Sequence, residues 1–263
     1  MNFIDLHGHY AWDIDDGITS KEDALKALQK AKANNIIGIV ATPHFICGKN
    51  TTDDIIRFKN RIRELRKLAE PLDIYIFQGC ELFLNDQLNN NLDKKLFIPI
   101  QKTKYILCEI DVRKDIGSSE ELEDFLYEMI INGYKPIIAH VERYFKNKID
   151  LERVAELINM GCVIQINSTS ILSSNKSIVY KNAMKLLTNN LVHIIATDTH
   201  TPEGTRSPNL LATYEYLSRE FDKENLELLF YKNQLAILKN ENVSQTLFEK
   251  KGLMNNLLRK DRK

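Results

Sequence analysis

FIDLHGH, residues 3–9, sets two histidines one residue apart behind a short apolar segment. Side chains of a strand alternate between its faces, so a strand here puts Phe3, Asp5, His7 and His9 on one side and Ile4 and Leu6 on the other. Two imidazoles on one face can grip one metal ion. The stretch alone is equally consistent with two surface histidines, and the segments that follow decide between the readings.

Six more short β-rich segments recur along the chain: IIGIVAT (36–42), IYIFQGCE (74–81), YILCEI (105–110), PIIAHV (136–141), CVIQIN (162–167) and VHIIATD (192–198). Stretches of helical period separate them, among them SKEDALKALQKAKANN, with Ser20 as N-cap and Asp23 in the first turn, and SSEELEDFLYEMIINGY, which Gly133 can close. Strands alternating with long crossovers predict an α/β fold with parallel pairing. No low-complexity linker or composition break divides the 263 residues, so the expectation is one barrel-like domain over 1–263. A basic, weakly amphipathic helical tail is expected from about Glu241 to Lys263.

The polar residues fall in one topological place. At or just beyond the strand ends lie His7 and His9, His44, Glu81, Glu109, His140, and Asp198 with His200; the remaining strand ends in Asn167. Five of the six histidines occupy such positions, and only His193 does not. His193 has the opposite parity to Asp198 and is assigned to packing or a backbone hydrogen bond. In a parallel barrel the C-terminal strand ends converge on one rim, where active sites are built. Asp16, in the IDDG turn, can reach that rim, and Asp5 shares the His7 face, where it could accept an imidazole proton.

Five imidazoles with three or four carboxylates exceed the needs of one ion and predict two or three divalent metals. Mixed nitrogen and oxygen donors suit manganese, iron or zinc better than calcium. Such clusters activate water and clamp phosphoesters. Arg143, three residues beyond His140, and Arg206, in the loop after His200, could hold phosphate oxygens.

Other classes are disfavoured. Thirty-six acidic residues balance thirty-six basic ones, so no broad basic field points to nucleic acid. No apolar run approaches the ~20 residues of a membrane span, and no basic-then-apolar leader opens the chain, so a cytoplasmic location is expected. Cys47, Cys80, Cys108 and Cys162 form no CxxC pair, and Cys80 and Cys108 have the parity of helix-facing residues. None is followed six positions later by the arginine that a thiolate phosphatase needs; those positions hold Asp53, Asp86, Lys114 and Ser168.

The ordered stretches IDLHGH, IDDG, ATPH, GCELF, CEI, IIAHVERY, MGCVIQINSTS and VHIIATDTH resemble the PHP (polymerase and histidinol phosphatase) superfamily. HVERY and QINSTS move the likeness toward the bacterial tyrosine-protein phosphatases of capsular and exopolysaccharide loci. The loop HFICGKN after ATPH departs from the family pattern. The resemblance implies a distorted, TIM-barrel-like (β/α)7 barrel with a trinuclear centre, manganese being the first choice of metal and iron or zinc the alternatives. It implies metal roles for His7, His9, Asp16, His44, Glu81, Glu109, His140, Asp198 and His200, and phosphate-handling roles for Arg143 and Arg206. The implied substrate is a phosphotyrosine protein, namely a bacterial tyrosine autokinase, and an oligomer is compatible with the pattern. The rival readings are a small-molecule phosphatase of the histidinol phosphate type and a non-catalytic, metal-stabilised partner-binding module.

Overall fold

Each of the seven apolar segments forms a strand in a computed structural model of the chain, which describes residues 1–117 and 120–248. One segment, IYIFQGCE, is interrupted, and a short strand outside the seven follows IIGIVAT, so the strands among the described residues are β1 (Phe3–Gly8), β2 (Ile36–Ala41), β3 (His44–Ile46), β4 (Tyr75–Gln78), β5 (Glu81–Phe83), β6 (Tyr105–Glu109), β7 (Lys135–Ile138), β8 (Val163–Asn167) and β9 (Ile194–Ala196). The gaps before β3 and β5 fall at Thr42–Pro43 and at Gly79–Cys80. Proline has no N–H to give a ladder, and glycine weakens a strand interior. The backbone stays tied across both, through Glu81 N to Pro43 O and Gly79 N to Ala41 O, each 3.0 Å.

All ladders are parallel, in a three-stranded sheet ordered β1-β2-β4 and a six-stranded one ordered β3-β5-β6-β7-β8-β9. The far edge returns to the first strand through a parallel bridge between Gly8 and Thr199. His9 N to Thr199 O at 2.8 Å and Asp198 N to His7 O at 2.9 Å reinforce that contact. Parallel direction throughout brings the C-terminal strand ends to one face.

Helices join the strands as expected. Ser20 Oγ caps helix Lys21–Ala33 by accepting from Asp23 N at 3.1 Å, and Gly133 leaves helix Glu120–Ile131 at φ +84°, a left-handed conformation that suits glycine. The larger apolar cluster combines helix residues with one side of the strands and includes all four cysteines. A smaller cluster draws Ile4, Leu6, Val40, Leu107, Ile137, Val163 and Ile194 from six strands.

One alternation expectation fails. Phe3 packs with Tyr214 and Phe230, ring centroids 5.5 Å apart in both pairs, in the helix-side cluster. His7 nevertheless meets Gln165 of β8, because the register of β1 shifts between Phe3 and Ile4 and again between Asp5 and Gly8. Residues 241–248 are not helical: Tyr105 Oη donates to Glu241 O at 2.6 Å, and Leu247 N donates to Asn225 at 2.8 Å. The basic segment 249–263 lies outside the described residues. No described helix is long and apolar enough to cross a membrane.

Candidate metal centre

β1, β3, β5 and β6, with the turns after β1, β7 and β9, carry the polar residues to one cluster. At its middle stands Glu81, fully buried. Its Oε2 lies 3.1 Å from His7 Nε2, 3.2 Å from His9 Nε2 and 3.2 Å from His44 Nδ1. Its Oε1 lies 3.1 Å from His140 Nε2. Glu109 reaches His44 Nδ1 at 2.9 Å and His140 Nε2 at 3.5 Å. Asp198 Oδ1 lies 3.4 Å from His7 Nε2, 3.5 Å from His9 Nε2 and 3.3 Å from His200 Nδ1.

Asp16 closes the cluster at its open side, where its side chain is 68 % exposed. It lies 3.2 Å from His44 Nε2 and 3.5 Å from His200 Nε2. All nine candidate metal residues from the sequence therefore meet. The two arginines join them at Asp198: Arg143 Nη1 is 3.5 Å from Oδ2, and Arg206 Nη2 is 3.0 Å from each carboxylate oxygen. Arg206 Nη2 also donates to His200 Nε2 at 2.9 Å.

Three overlapping groups have ligand atoms close enough to share an ion: His9, Asp16, His44 and His200; His7, His9 and Asp198; and His44, Glu81 and Glu109. Glu81 Oε2 has no hydrogen-bond partner despite three imidazole nitrogens around it. Burial without an aligned hydrogen bond is unfavourable for such an oxygen, and a divalent cation would relieve it. Donor chemistry and the orphaned oxygen both fit a metal site.

The charges interlock. Burial opposes charge on His9, but the Asp15 carboxylate raises it to about 10; His44 is carried to about 11 by Asp16 and Glu109 against the same burial, and His140 to about 9 by Glu109 and Glu81. Burial also opposes charge on Glu81, yet His7 and His140 hold it well below the usual carboxylate range. His200 is pulled down by burial. Protons on the imidazoles thus balance the carboxylates, and a divalent cation that takes the same lone pairs must release them.

Two supports went unseen in the sequence. Asp15 Oδ2 lies 2.6 Å from His9 Nδ1 and accepts from His44 N at 2.9 Å. Gly17 completes this turn: a Cβ there would lie 2.7 Å from His9 O and 2.3 Å from its Cβ, so no side chain fits. Gln165, inside β8, faces His7 Nδ1 at 3.1 Å. The expectation for Asp5 is corrected, since its carboxylate accepts instead from Thr197 N at 3.0 Å, Thr197 Oγ1 at 2.5 Å and Tyr10 Oη at 3.3 Å. His193 is structural as expected, its Nδ1 accepting from Ile164 N at 3.0 Å.

A parallel α/β fold with a histidine–carboxylate cluster across its strand ends defines the class, a protein with a candidate multi-metal centre. The particular lineage follows from comparison with known proteins. A family model described as capsular polysaccharide synthesis, CpsB/CapC, matches residues 3–239. Tyrosine-protein phosphatase CpsB of Streptococcus agalactiae serotype III is 34 % identical over 245 residues, covering 90 % of this chain and 98 % of that one. The putative tyrosine-protein phosphatase CapC of Staphylococcus aureus is 32 % identical over 247 residues, covering 93 % and 94 %. A crystal structure from work on YwqE of Bacillus subtilis and CpsB of Streptococcus pneumoniae, described as metal-dependent tyrosine phosphatases, superposes with a TM-score of 0.77 at 25 % identity, covering 92 % of this chain and 97 % of that one. The chain belongs to the CpsB/CapC capsular polysaccharide synthesis family.

Proposed function

We propose that this chain is a metal-dependent protein-tyrosine phosphatase, folded as one distorted barrel of seven strand passes and acting in the cytoplasm. Its substrate on this reading is a phosphotyrosine protein, specifically a tyrosine autokinase of capsule or exopolysaccharide synthesis. The observation that carries the reading is Glu81, whose unpartnered Oε2 faces three imidazole nitrogens at 3.1 to 3.2 Å. The ligands are His7, His9, Asp16, His44, Glu81, Glu109, His140, Asp198 and His200, holding two or three ions, manganese before iron or zinc.

When bound, divalent ions lower the pKa of a water and neutralise phosphoryl oxygens. Glu81, placed between His7, His9, His44 and His140, would hold the ions together with those imidazoles. Arg143 and Arg206 reach the cluster from its half-open side, where their guanidinium groups can turn from Asp198 to the phosphate. A guanidinium keeps its proton, so both act as charge clamps rather than acids. The phenolate that departs from phosphotyrosine has a conjugate pKa near 10 and needs little proton donation.

No thiol competes for the role of nucleophile, because all four cysteines are buried. A cleft of about 360 Å³ lies beyond the ends of β5 and β6, walled by Phe83, Ile110 and Phe125 with Arg113 and Lys114 at its edge. The test compares a phosphotyrosine peptide with histidinol phosphate on chain reconstituted with manganese, iron or zinc. Faster turnover of the peptide is expected; preference for histidinol phosphate would replace the protein substrate with a metabolite.

A further inference from the structure

Gln165 is fully buried in β8, where an uncharged amide among apolar neighbours has no obvious task. Its orientation is fixed by a group that can only donate. The backbone N–H of His140 points at it from 2.9 Å, so the atom there is Oε1. The same oxygen lies 3.1 Å from His7 Nδ1. An amide oxygen can only accept, so Nδ1 of His7 carries a hydrogen, and Nε2 is the nitrogen that gives up its proton and offers a lone pair when a cation binds. Nε2 is the atom that faces Glu81 at 3.1 Å and Asp198 at 3.4 Å.

The other end of the amide continues the chain. Gln165 Nε2 donates to Asn167 Oδ1 at 2.8 Å, which leaves Asn167 Nδ2 to donate to Asp198 Oδ2 at 2.9 Å. The hydrogen bonds therefore run in one direction, from the His140 backbone through two amides to the Asp198 carboxylate. The residues at its two ends hold left-handed backbone conformations, φ +35° at His140 and +54° at Asp198. Such conformations are costly for non-glycine residues and persist where the surroundings over-determine them.

We propose that Gln165 is a positioning residue of the metal centre, which sets the His7 tautomer with its oxygen and, through Asn167, aims Asp198 with its nitrogen. The relay ties ligands from β1, the turn after β7 and the end of β9 into one unit, so they present lone pairs to a divalent cation together. This inference rests on the metal reading above and adds a residue that binds no ion itself. Side chains of this kind typically change metal affinity 10- to 100-fold when lost.

The test uses the full chain loaded with zinc, which is diamagnetic, and ¹⁵N NMR of the imidazoles. The expected spectrum shows His7 protonated at Nδ1 and bound through Nε2. Gln165→Met, similar in length but without the amide, is expected to bind zinc about 10- to 100-fold more weakly and to lose that tautomer preference. Gln165→Glu keeps both acceptor bonds but makes Asn167 turn its oxygen toward Asp198, so it is expected to keep the His7 signature and still lose zinc affinity. A wild-type His7 bound through Nδ1, or a folded Gln165→Met that binds zinc as tightly as the wild type, would overturn the relay. The wild-type spectrum carries the test if Gln165→Met does not fold. A wild-type chain that takes up neither zinc nor manganese would instead overturn the metal reading itself.

Discussion

Asp15 Oδ2 stands 2.6 Å from His9 Nδ1 and 2.9 Å from His44 N, so one carboxylate fixes an imidazole-bearing residue just after β1 and another at the start of β3. Asp15→Asn keeps the size but removes the charge, and its NH2 must stand either against Gly17 N, which donates to Oδ1 at 3.0 Å, or against both His9 Nδ1 and His44 N. We expect manganese affinity, measured by calorimetry, to fall about 10- to 100-fold. Unchanged affinity would remove Asp15 from the support of the centre.

Arg143 and Arg206 lean on Asp198 with side chains 35 % and 42 % exposed. Partial exposure tempers their electrostatic worth, so alanine at either should lower kcat/KM for a phosphotyrosine peptide by about 10- to 100-fold, less than a fully dry oxyanion donor would cost. Metal content, assayed in the same samples, should stay constant. Unaltered turnover, or turnover lost only along with metal, would contradict the clamp.

His193 offers a pH prediction away from the centre. Burial lowers it to about 4 from an ordinary 6.5, and Ile164 N donates to its Nδ1. The unfolded chain binds a proton at higher pH than the folded one, so the contribution is complete above about pH 6.5 and is lost as pH falls toward 4. The difference is worth about 3 kcal/mol. In chelator-treated protein, His193→Asn should flatten the fall in thermal stability across that window. An equally steep fall in the variant would show that other groups carry it.

The thiols should be spectators. Burial pushes Cys47, Cys80 and Cys162 up to about 12, and Cys108 well above its usual value. Iodoacetamide applied to the native protein should leave phosphatase activity intact, with mass spectrometry recording any modification. Activity lost in step with a single alkylated cysteine would contradict a metal-based reaction.

The strands and their polar ends could be read because each is a short apolar run that, except for the one ending in Asn167, stops at or just before a histidine or carboxylate. Gly79 foreshadowed the break in IYIFQGCE and Pro43 the end of IIGIVAT, whereas the short strand His44–Ile46 beyond Pro43 was not among the seven runs. Asp5 was misplaced because strict alternation ignores the register shifts of β1, which no side-chain pattern announces. Asp15 was overlooked beside Asp16: the turn decides which carboxylate meets His9 and which faces solvent. Gln165 carried no signal at all, since an amide becomes informative only when folding brings His7, 158 positions away, against it.

The central claim is that chemistry and metal are inseparable here. The measurement is kcat/KM for a phosphotyrosine peptide against metal bound per chain, as a chelator strips the wild-type protein and manganese is returned. Activity should fall to background with the metal and return with it, and Glu81→Gln, which removes the charge of the carboxylate at the middle of the cluster, should be low in both. Undiminished turnover in a preparation shown to be metal-free would contradict the account.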